Sequence, residues 1–494
     1  MAQGWLAHRM YFIHVIYNRL ATRVYRIEAP MLPSFSPSQS LNTRIAARAA
    51  ALLPNETQLY CSRRPRSQAA HERSNGGLID NVPLHWMLDW PMPMPLVVER
   101  ASGATLSDID GNHVVDLCLG DTGAMFGHGP APIIRALAGA AEHGLTTMLP
   151  SSDAEVVGQL LSQRFPLPHW QIASTASDAN RFAIRVARAV TRRRKILVFD
   201  GCYHGAVDET LVDLIDGRTV SRKSLLGQVI DAEQTTVAVP FNDEAALRAA
   251  LATREIACVL AEPVMTNCGM ILPQPGFHTA LRQLTRATET LLLIDETHTI
   301  STGLGGYSTI HRLEPDIFVL GKPVGGGVPV SIWGLSKDVA CRFAIALRLR
   351  KSHGHSGIGT TLSGSALQLA CLRACLEEVM TPAAYATMQA GAERIESGLT
   401  AAIKAAGFPW HVSRVGARIE VVFSQRPVRD AAEARAAASP AIESFLHLAL
   451  LNRGFLLAPF HNMVLVSPVT SAEQCDGLVV AYGEVLQQLT EGEP

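Results

Sequence analysis

The sequence predicts an α/β fold in which a mostly parallel sheet is covered by helices on both faces and joined to a smaller α+β domain. Three observations predict it. Short, continuous apolar runs recur between about residue 120 and residue 335. Amphipathic stretches separate them, and a run that is apolar at every position suits a strand buried on both faces. Beyond about residue 375 the pattern becomes mixed, with strands and helices no longer alternating.

At 494 residues the chain is too long for one simple core and suits two or three packed units. Residues 1–40 read as an N-terminal extension: Arg9, Arg19, Arg23 and Arg26 precede the first acid, Glu28. The apolar stretch Trp5–Ile27 is broken by His8, Arg9, His14 and Asn18, so neither a membrane span nor a secretory signal is expected. A basic amphipathic helix, a transit-like segment, or an accessory extension with translation starting upstream of Met31 are the readings, the last preferred. Residues 41–119 are assigned to the small domain. They begin with a helix over Asn42–Leu53 and continue as polar loop. Pro83–Pro95 is dense in Pro, Trp and Met and cannot be regular helix, because each proline removes a donor and restricts its predecessor. Leu96–Val98, Thr105–Asp108 and Val114–Cys118 read as strands, with Asp110-Gly111 as a hairpin turn.

Residues 120–375 are assigned to the large domain. Its strands are Ile196–Phe199, Val237–Pro240, Ala257–Ala261, Leu291–Ile294, Ile317–Leu320 and Ile332–Leu335. Helices are expected over Ala179–Val190, Glu244–Ala252 and Phe277–Ala287. Residues 376–494 return to the small domain, with strands over Ala417–Phe423 and Leu456–Val466 and helices over Ala432–Leu451 and Ser471–Leu489.

The bulk chemistry excludes several functions. A net charge of −1 offers no polyanion-binding surface, so nucleic acid is not an expected partner. Nine dispersed cysteines with no CxxC pair read as reduced thiols in a cytoplasmic protein. No metal site is expected: His298, His353 and His355 lack ligand spacing with a third partner.

Five segments carry chemistry. Lys322 follows an apolar strand and opens a glycine-rich turn, Gly321-Lys322-Pro323-Val324-Gly325-Gly326-Gly327. An amine there can condense with an aldehyde, and glycines let backbone approach a bulky cofactor. A Walker-type phosphate loop has its glycines before the lysine and a hydroxyl after it, so the order here is wrong. Asp295 ends the run Leu291–Ile294, facing the crevice where parallel sheets bind ligands, and can hold a ring nitrogen protonated. A metal-binding Asp295-Glu296 pair or a helix cap is the alternative. Ser174–Asn180 is a hydroxyl-rich helix entry suited to a phosphate monoester, or to a plain N-cap. Tyr203 and His204 follow a strand, where an aromatic can stack on a cofactor ring and an imidazole can hydrogen-bond; a core Tyr-His pair is the plainer reading. Gly359–Ser365 is a second hydroxyl-rich helix entry.

In this order the five segments closely resemble class III, fold-type-I pyridoxal-phosphate (PLP) aminotransferases, in the branch of glutamate-1-semialdehyde aminomutase and β-amino-acid transaminases. Supporting stretches are Asp108–Asp116, Gly127-His128, Ala183–Arg188, Glu262-Pro263-Val264 and Asn452-Arg453-Gly454, and the likeness runs from about Val97 to Leu489. The resemblance implies a large domain with a mostly parallel seven-stranded sheet and a smaller α+β domain from N- and C-terminal segments. It implies pyridoxal 5′-phosphate as cofactor and a homodimer with shared active sites. By it, Lys322 is the Schiff-base lysine, Asp295 pairs with the pyridinium nitrogen and Tyr203 stacks on the ring. Ala176 and Ser177 hold the phosphate, which Thr361 reaches from the other subunit. Thr297 lies against the opposite ring face, Glu262 sits near the phenolic side with His204 close by, and Asn267 lines the site.

Departures are informative. The usual Ser-Gly-Thr-Glu-Ala turn is Thr175-Ala176-Ser177-Asp178-Ala179 here, and Asp-Glu-Val is Asp295-Glu296-Thr297 followed by an unusual His298. The aminomutases carry an arginine for the substrate's distal carboxylate just after a Gly-Gly; here Gly76-Gly77 precedes Leu78–Pro83, which has none. His85, Trp86, Met87 and Trp90 follow, giving His85, Trp86, Trp90 and Asn267 as the substrate pocket. The expected function is transamination from an amine or amino acid, bulky, aromatic or β-amino, to a 2-oxo acid. The alternatives are an intramolecular aminomutase and a catalytically degenerate PLP-fold binding protein.

Overall fold

A computed structural model describes residues 37–73, 77–229 and 231–490. The readings made for residues 1–36 and for Gly76 lie outside the described residues. The described residues from Asn42 onward form one compact unit.

A seven-stranded sheet forms the frame. Its strands in chain order are β1 (His169–Ala173), β2 (Lys195–Phe199), β3 (Thr236–Val239), β4 (Ile256–Ala261), β5 (Leu291–Asp295), β6 (Ile317–Leu320) and β7 (Ser331–Leu335). They lie side by side in the order β1-β7-β6-β5-β4-β2-β3. β7 is antiparallel to both its neighbours, and the other pairs are parallel. Every residue of β4, β5, β6 and β7 is buried, as their uninterrupted apolar character requires. The helix Ala176–Thr191 packs on the sheet through Phe182, Ile184 and Val186. Phe199, Phe241 and Phe277 meet edge to face beside it, with Phe241 and Phe277 centroids 4.7 Å apart. Each such ring contributes roughly 1.5–3 kcal/mol of transfer free energy on burial.

The ends of the chain build two smaller sheets. Val98–Ser102, Thr105–Asp108 and His113–Asp116 are joined by Phe455–Leu456, which runs parallel to His113–Asp116. His411–Val415, Arg418–Val422 and Val464–Leu465 make a three-stranded antiparallel sheet.

Several sequence expectations are corrected. The helix expected over Asn42–Leu53 spans Pro37–Ser62 and contains Pro54, and a second helix, Pro65–Glu72, replaces the expected loop. Pro54 removes one hydrogen bond and crowds the carbonyl of Ala50, a cost offset by the helix's buried face with Ile45, Ala49 and Tyr60. The single helix expected over Ala432–Leu451 is two, Ala431–Ala437 and Pro440–Asn452. Pro440 starts the second helix because it restricts Ser439 to extended backbone. The strand expected over Leu456–Val466 is two short pieces separated by a turn in which His461 and Asn462 have positive φ. Pro83–Pro95 holds one short 3-10 turn, His85–Leu88. β1 was not expected at all: it pairs with β7 alone, and only Ala173 among its residues is fully buried.

Candidate active site

Five of the seven strands deliver side chains to one crevice at the carboxyl ends of the parallel strands, the position that ligands favour in such sheets. The crevice holds a cavity of about 360 Å³, and Ala176, Ser177, Tyr203, His204, Glu262, Asn267, Asp295, Thr297, His298 and Lys322 all line it. Trp86 closes its rim, edge-on to Tyr203 at 5.7 Å and to Phe460 at 6.4 Å.

Lys322 leaves β6 through Gly321 and takes a left-handed backbone conformation, φ +48°. That conformation is uncommon outside glycine and recurs at functional positions. Its Nζ lies 2.6 Å from Asp121 Oδ2 and 2.6 Å from His298 Nε2. The lysine is only partly exposed, with 28% of its side chain accessible.

Asp295, at the end of β5, is buried. It accepts hydrogen bonds from Asn180 Nδ2 at 2.9 Å and the Thr297 backbone N–H at 3.1 Å, and its Oδ2 lies 3.0 Å from His204 Nδ1. Burial pushes its carboxyl upward, but His204, Thr297 and Asn180 outweigh that and hold it below the usual carboxylate range. Burial opposes charge on His204 as well, yet Cys202 and Asp295 beside it raise its pKa to about 10. The sign follows: a histidine raised from 6.5 stabilises the fold fully below 6.5 and loses that contribution as pH rises through 10. The melting temperature of wild-type apoprotein is therefore expected to exceed that of His204→Gln most at acidic to neutral pH. The gap narrows toward pH 10, and a gap that widened with pH would contradict the pairing.

The start of helix Ala176–Thr191 forms the far wall. Thr175 caps it by accepting from the Asp178 backbone N–H. Ser177 Oγ accepts from the Ala206 N–H at 3.0 Å. Two close approaches keep this wall free of side chains: a Cβ on Gly205 (φ +85°) would overlap the Ser177 hydroxyl, and one on Gly321 would stand 2.8 Å from Ala176 Cβ. A slot held open this way, with free N–H groups and a hydroxyl at one end, fits a phosphate. Asp295 fits a protonated ring nitrogen, and the Lys322 amine fits an aldehyde. The residues present therefore fit pyridoxal phosphate.

Glu262, after β4, accepts from Thr266 Oγ1 at 2.6 Å and Asn267 Nδ2 at 3.1 Å, and burial raises its pKa. Glu296 takes no part in the cavity: it accepts from Thr299 Oγ1 and the Tyr307 and Ser308 backbone N–H groups. That removes the metal-pair reading of Asp295-Glu296, and among the described residues no group of three acidic, His or Cys side chains is placed to hold a metal.

Two anticipated substrate-pocket residues are not brought to this cavity, and Thr361 was expected at the partner's site rather than this one. His85 is exposed, and Trp90, half-buried, packs on His447 at 5.6 Å against a separate cluster of buried residues. The 3-10 turn points only Trp86 of the three aromatic-loop residues at the rim. Thr361 is exposed and lines a separate groove with Met148 and Leu149, while Ser365 of the same segment is an ordinary helix cap. Conversely, Asp121 and Thr266 join the network without having been singled out, and Asn180, noted only as the end of the helix entry Ser174–Asn180, binds Asp295.

Comparison with known proteins agrees with this geometry. The sequence model of the aminotransferase class-III family matches residues 88–484. Glutamate-1-semialdehyde 2,1-aminomutase of Anaeromyxobacter dehalogenans is 35% identical over 370 residues, covering 74% of this chain and 84% of that protein. The crystal structure of a glutamate-1-semialdehyde-aminomutase from Pseudomonas aeruginosa superposes with a TM-score of 0.87 at 45% identity, over 90% of this chain and 99% of that one. A β-phenylalanine aminotransferase from Variovorax paradoxus gives a TM-score of 0.76 at 25% identity, over 90% of this chain and 97% of that one. The relatives' names favour the aminomutase alternative over the transaminase expected from the sequence. Fold, site and relatives agree on one conclusion: the chain belongs to the class-III aminotransferases, fold-type-I enzymes that use pyridoxal phosphate.

Proposed function

We propose that the chain moves an amino group within a single small substrate, as an aminomutase does, using Lys322 as the lysine that carries the cofactor. The observation that supports this most is the relatedness to named aminomutases along 84% of their length. Bound pyridoxal phosphate supplies an aldehyde and an electron-withdrawing ring. Lys322 Nζ would take and return the proton at the carbon bearing the substrate amine. Asp295, held anionic by His204, Asn180 and Thr297, keeps a proton on the ring nitrogen. Ser177 and the backbone around Ala176 would hold the phosphate, and Tyr203, Thr297 and Glu262, which line the same cavity, would bound the ring. Trp86 and Asn267 bound the substrate end, where the Trp86–Phe460 contact lies at the entry.

A second reading, transamination between an amine or amino acid and a 2-oxo acid, is favoured by two observations. No arginine lies in Leu78–Pro83, and the rim is aromatic rather than cationic. Turnover of glutamate 1-semialdehyde with no added 2-oxo acid is the expected result. No product without pyruvate or 2-oxoglutarate, and amino transfer to either when added, would replace the aminomutase by the transaminase.

We further propose a homodimer with Thr361 completing the partner's phosphate site. The exposed Met148, Leu149 and Leu362 around Thr361 support it. In the domain division proposed, residues 41–119 and 376–494 form the small domain and 120–375 the large one, after the N-terminal extension 1–40; the sheet shared by His113–Asp116 and Phe455–Leu456 supports it. All nine cysteines are unpaired, which supports a cytoplasmic location, and among the described residues no helix is long and apolar enough to cross a membrane.

A further inference from the structure

His298 follows Thr297 at the end of β5, is 7% exposed, and lines the cavity. Its Nε2 lies 2.6 Å from Lys322 Nζ and its Nδ1 2.5 Å from Thr266 Oγ1. Thr266 Oγ1 in turn reaches Glu262 Oε2 at 2.6 Å. The result is an unbroken chain, Lys322–His298–Thr266–Glu262, whose two ends both line the cavity. His298, Thr266 and Glu262 are all buried.

We propose that His298, Thr266 and Glu262 form a proton relay serving the Lys322 amine. This rests on Lys322 being the cofactor lysine.

Hydrogen-bond accounting gives two states. With Glu262 ionised, Thr266 donates its one proton to Glu262, so it accepts from His298 Nδ1–H, and Nε2 accepts from the lysine ammonium. With Glu262 protonated, every bond reverses: Glu262 donates to Thr266, Thr266 to Nδ1, and Nε2–H to a neutral lysine amine. The states interconvert as the proton on Nζ passes to Nε2, that on Nδ1 to Thr266 and that on the hydroxyl to Glu262. Lys322 loses one proton, Glu262 gains one, and His298 and Thr266 end neutral.

The surroundings favour such a shuttle. Arg418, fully buried, donates from Nε to the His298 carbonyl at 3.0 Å and from Nη2 to the Thr122 hydroxyl, fixing the backbone of the imidazole. Burial, then the charges of Lys322, Arg418 and His204, keep the His298 ring neutral. Burial raises Glu262 toward proton uptake. The other charged groups facing the chain are Asp121 on Lys322 and Asp295 on Glu262. Asp121 steadies the ammonium but leads to no further side-chain acceptor among the described residues.

The test uses apoprotein. Wild type, His298→Phe and Thr266→Val are mixed with pyridoxal phosphate, and the rate at which the lysine-bound absorption band forms is followed from pH 6 to pH 10. Thr266→Val interrupts the relay while leaving His298 against Lys322, and its matched volume keeps it usable where His298→Phe does not fold. The expected result is capture slowed roughly 10–100-fold at pH 7 in both variants, the deficit closing toward pH 10 as hydroxide takes the amine proton without the relay. His298→Gln, which keeps a polar contact but passes no proton, is expected to follow His298→Phe. A wild-type profile for Thr266→Val overturns the relay, as does a deficit independent of pH. A band that forms normally in Lys322→Ala overturns the lysine assignment instead, so the two failures are distinguishable.

Discussion

Replacing Lys322 by alanine is expected to abolish turnover, lowering kcat by on the order of 10⁴-fold or more, because one nitrogen performs both the covalent and the proton-transfer work. The geometry makes substitution by a neighbour impossible. Only Lys322 among the cavity's lining residues is an amine, and its φ of +48° aims it between Asp121 and His298. Absorbance and single-turnover measurements check this together. The lysine-bound band should vanish, while cofactor held through the Ser177 wall should still co-purify with the protein. Borohydride should no longer fix the cofactor to the chain. Retained turnover, or borohydride labelling of another lysine, would refute the role.

Asp295→Asn is expected to lower kcat by about 10²–10³-fold with a smaller effect on cofactor affinity. The change is isosteric, so the bond from the Thr297 N–H is kept, but the negative charge that holds a ring proton is lost. His204 and Asn180 would also change role. His204 loses the carboxylate that raises it, and Asn180 Nδ2 faces an amide that no longer carries charge. Exchange of the substrate's proton in deuterated water, followed by NMR, isolates this step from binding. Exchange at the wild-type rate in Asp295→Asn would show that the carboxylate is dispensable.

Most of the frame was legible because the chemistry is local. β2 to β7 are each a bounded apolar run, and Asp295 and Lys322 end or follow such runs within a residue or two. β1 was not legible: His169-Trp170-Gln171-Ile172-Ala173 is a partly exposed edge with mixed polarity, indistinguishable from loop without its partner. Pro54 concealed the length of Pro37–Ser62, because a proline inside a packed helix looks like a terminus in one dimension. Within the site, His298 drew notice only as an odd residue and a rejected metal ligand. Its partners lie 24 and 32 positions away, so neither could have been assigned to it by spacing. Trp90 and Trp86 are equivalent in sequence, and the short turn between them decides which faces the cavity.

The pairing of Phe455–Leu456 with His113–Asp116 also governs how the protein is made. On the ribosome, the N-terminal hairpin emerges long before the strand that completes its sheet, so its open edge waits through synthesis of the whole seven-stranded core. Such long-range closure is entropically slow and leaves an unpaired edge open to misassociation. A nascent chain stalled before residue 455 should bind chaperones and be cut readily by protease in the first strands, and should resist both once Leu456 has cleared the exit tunnel.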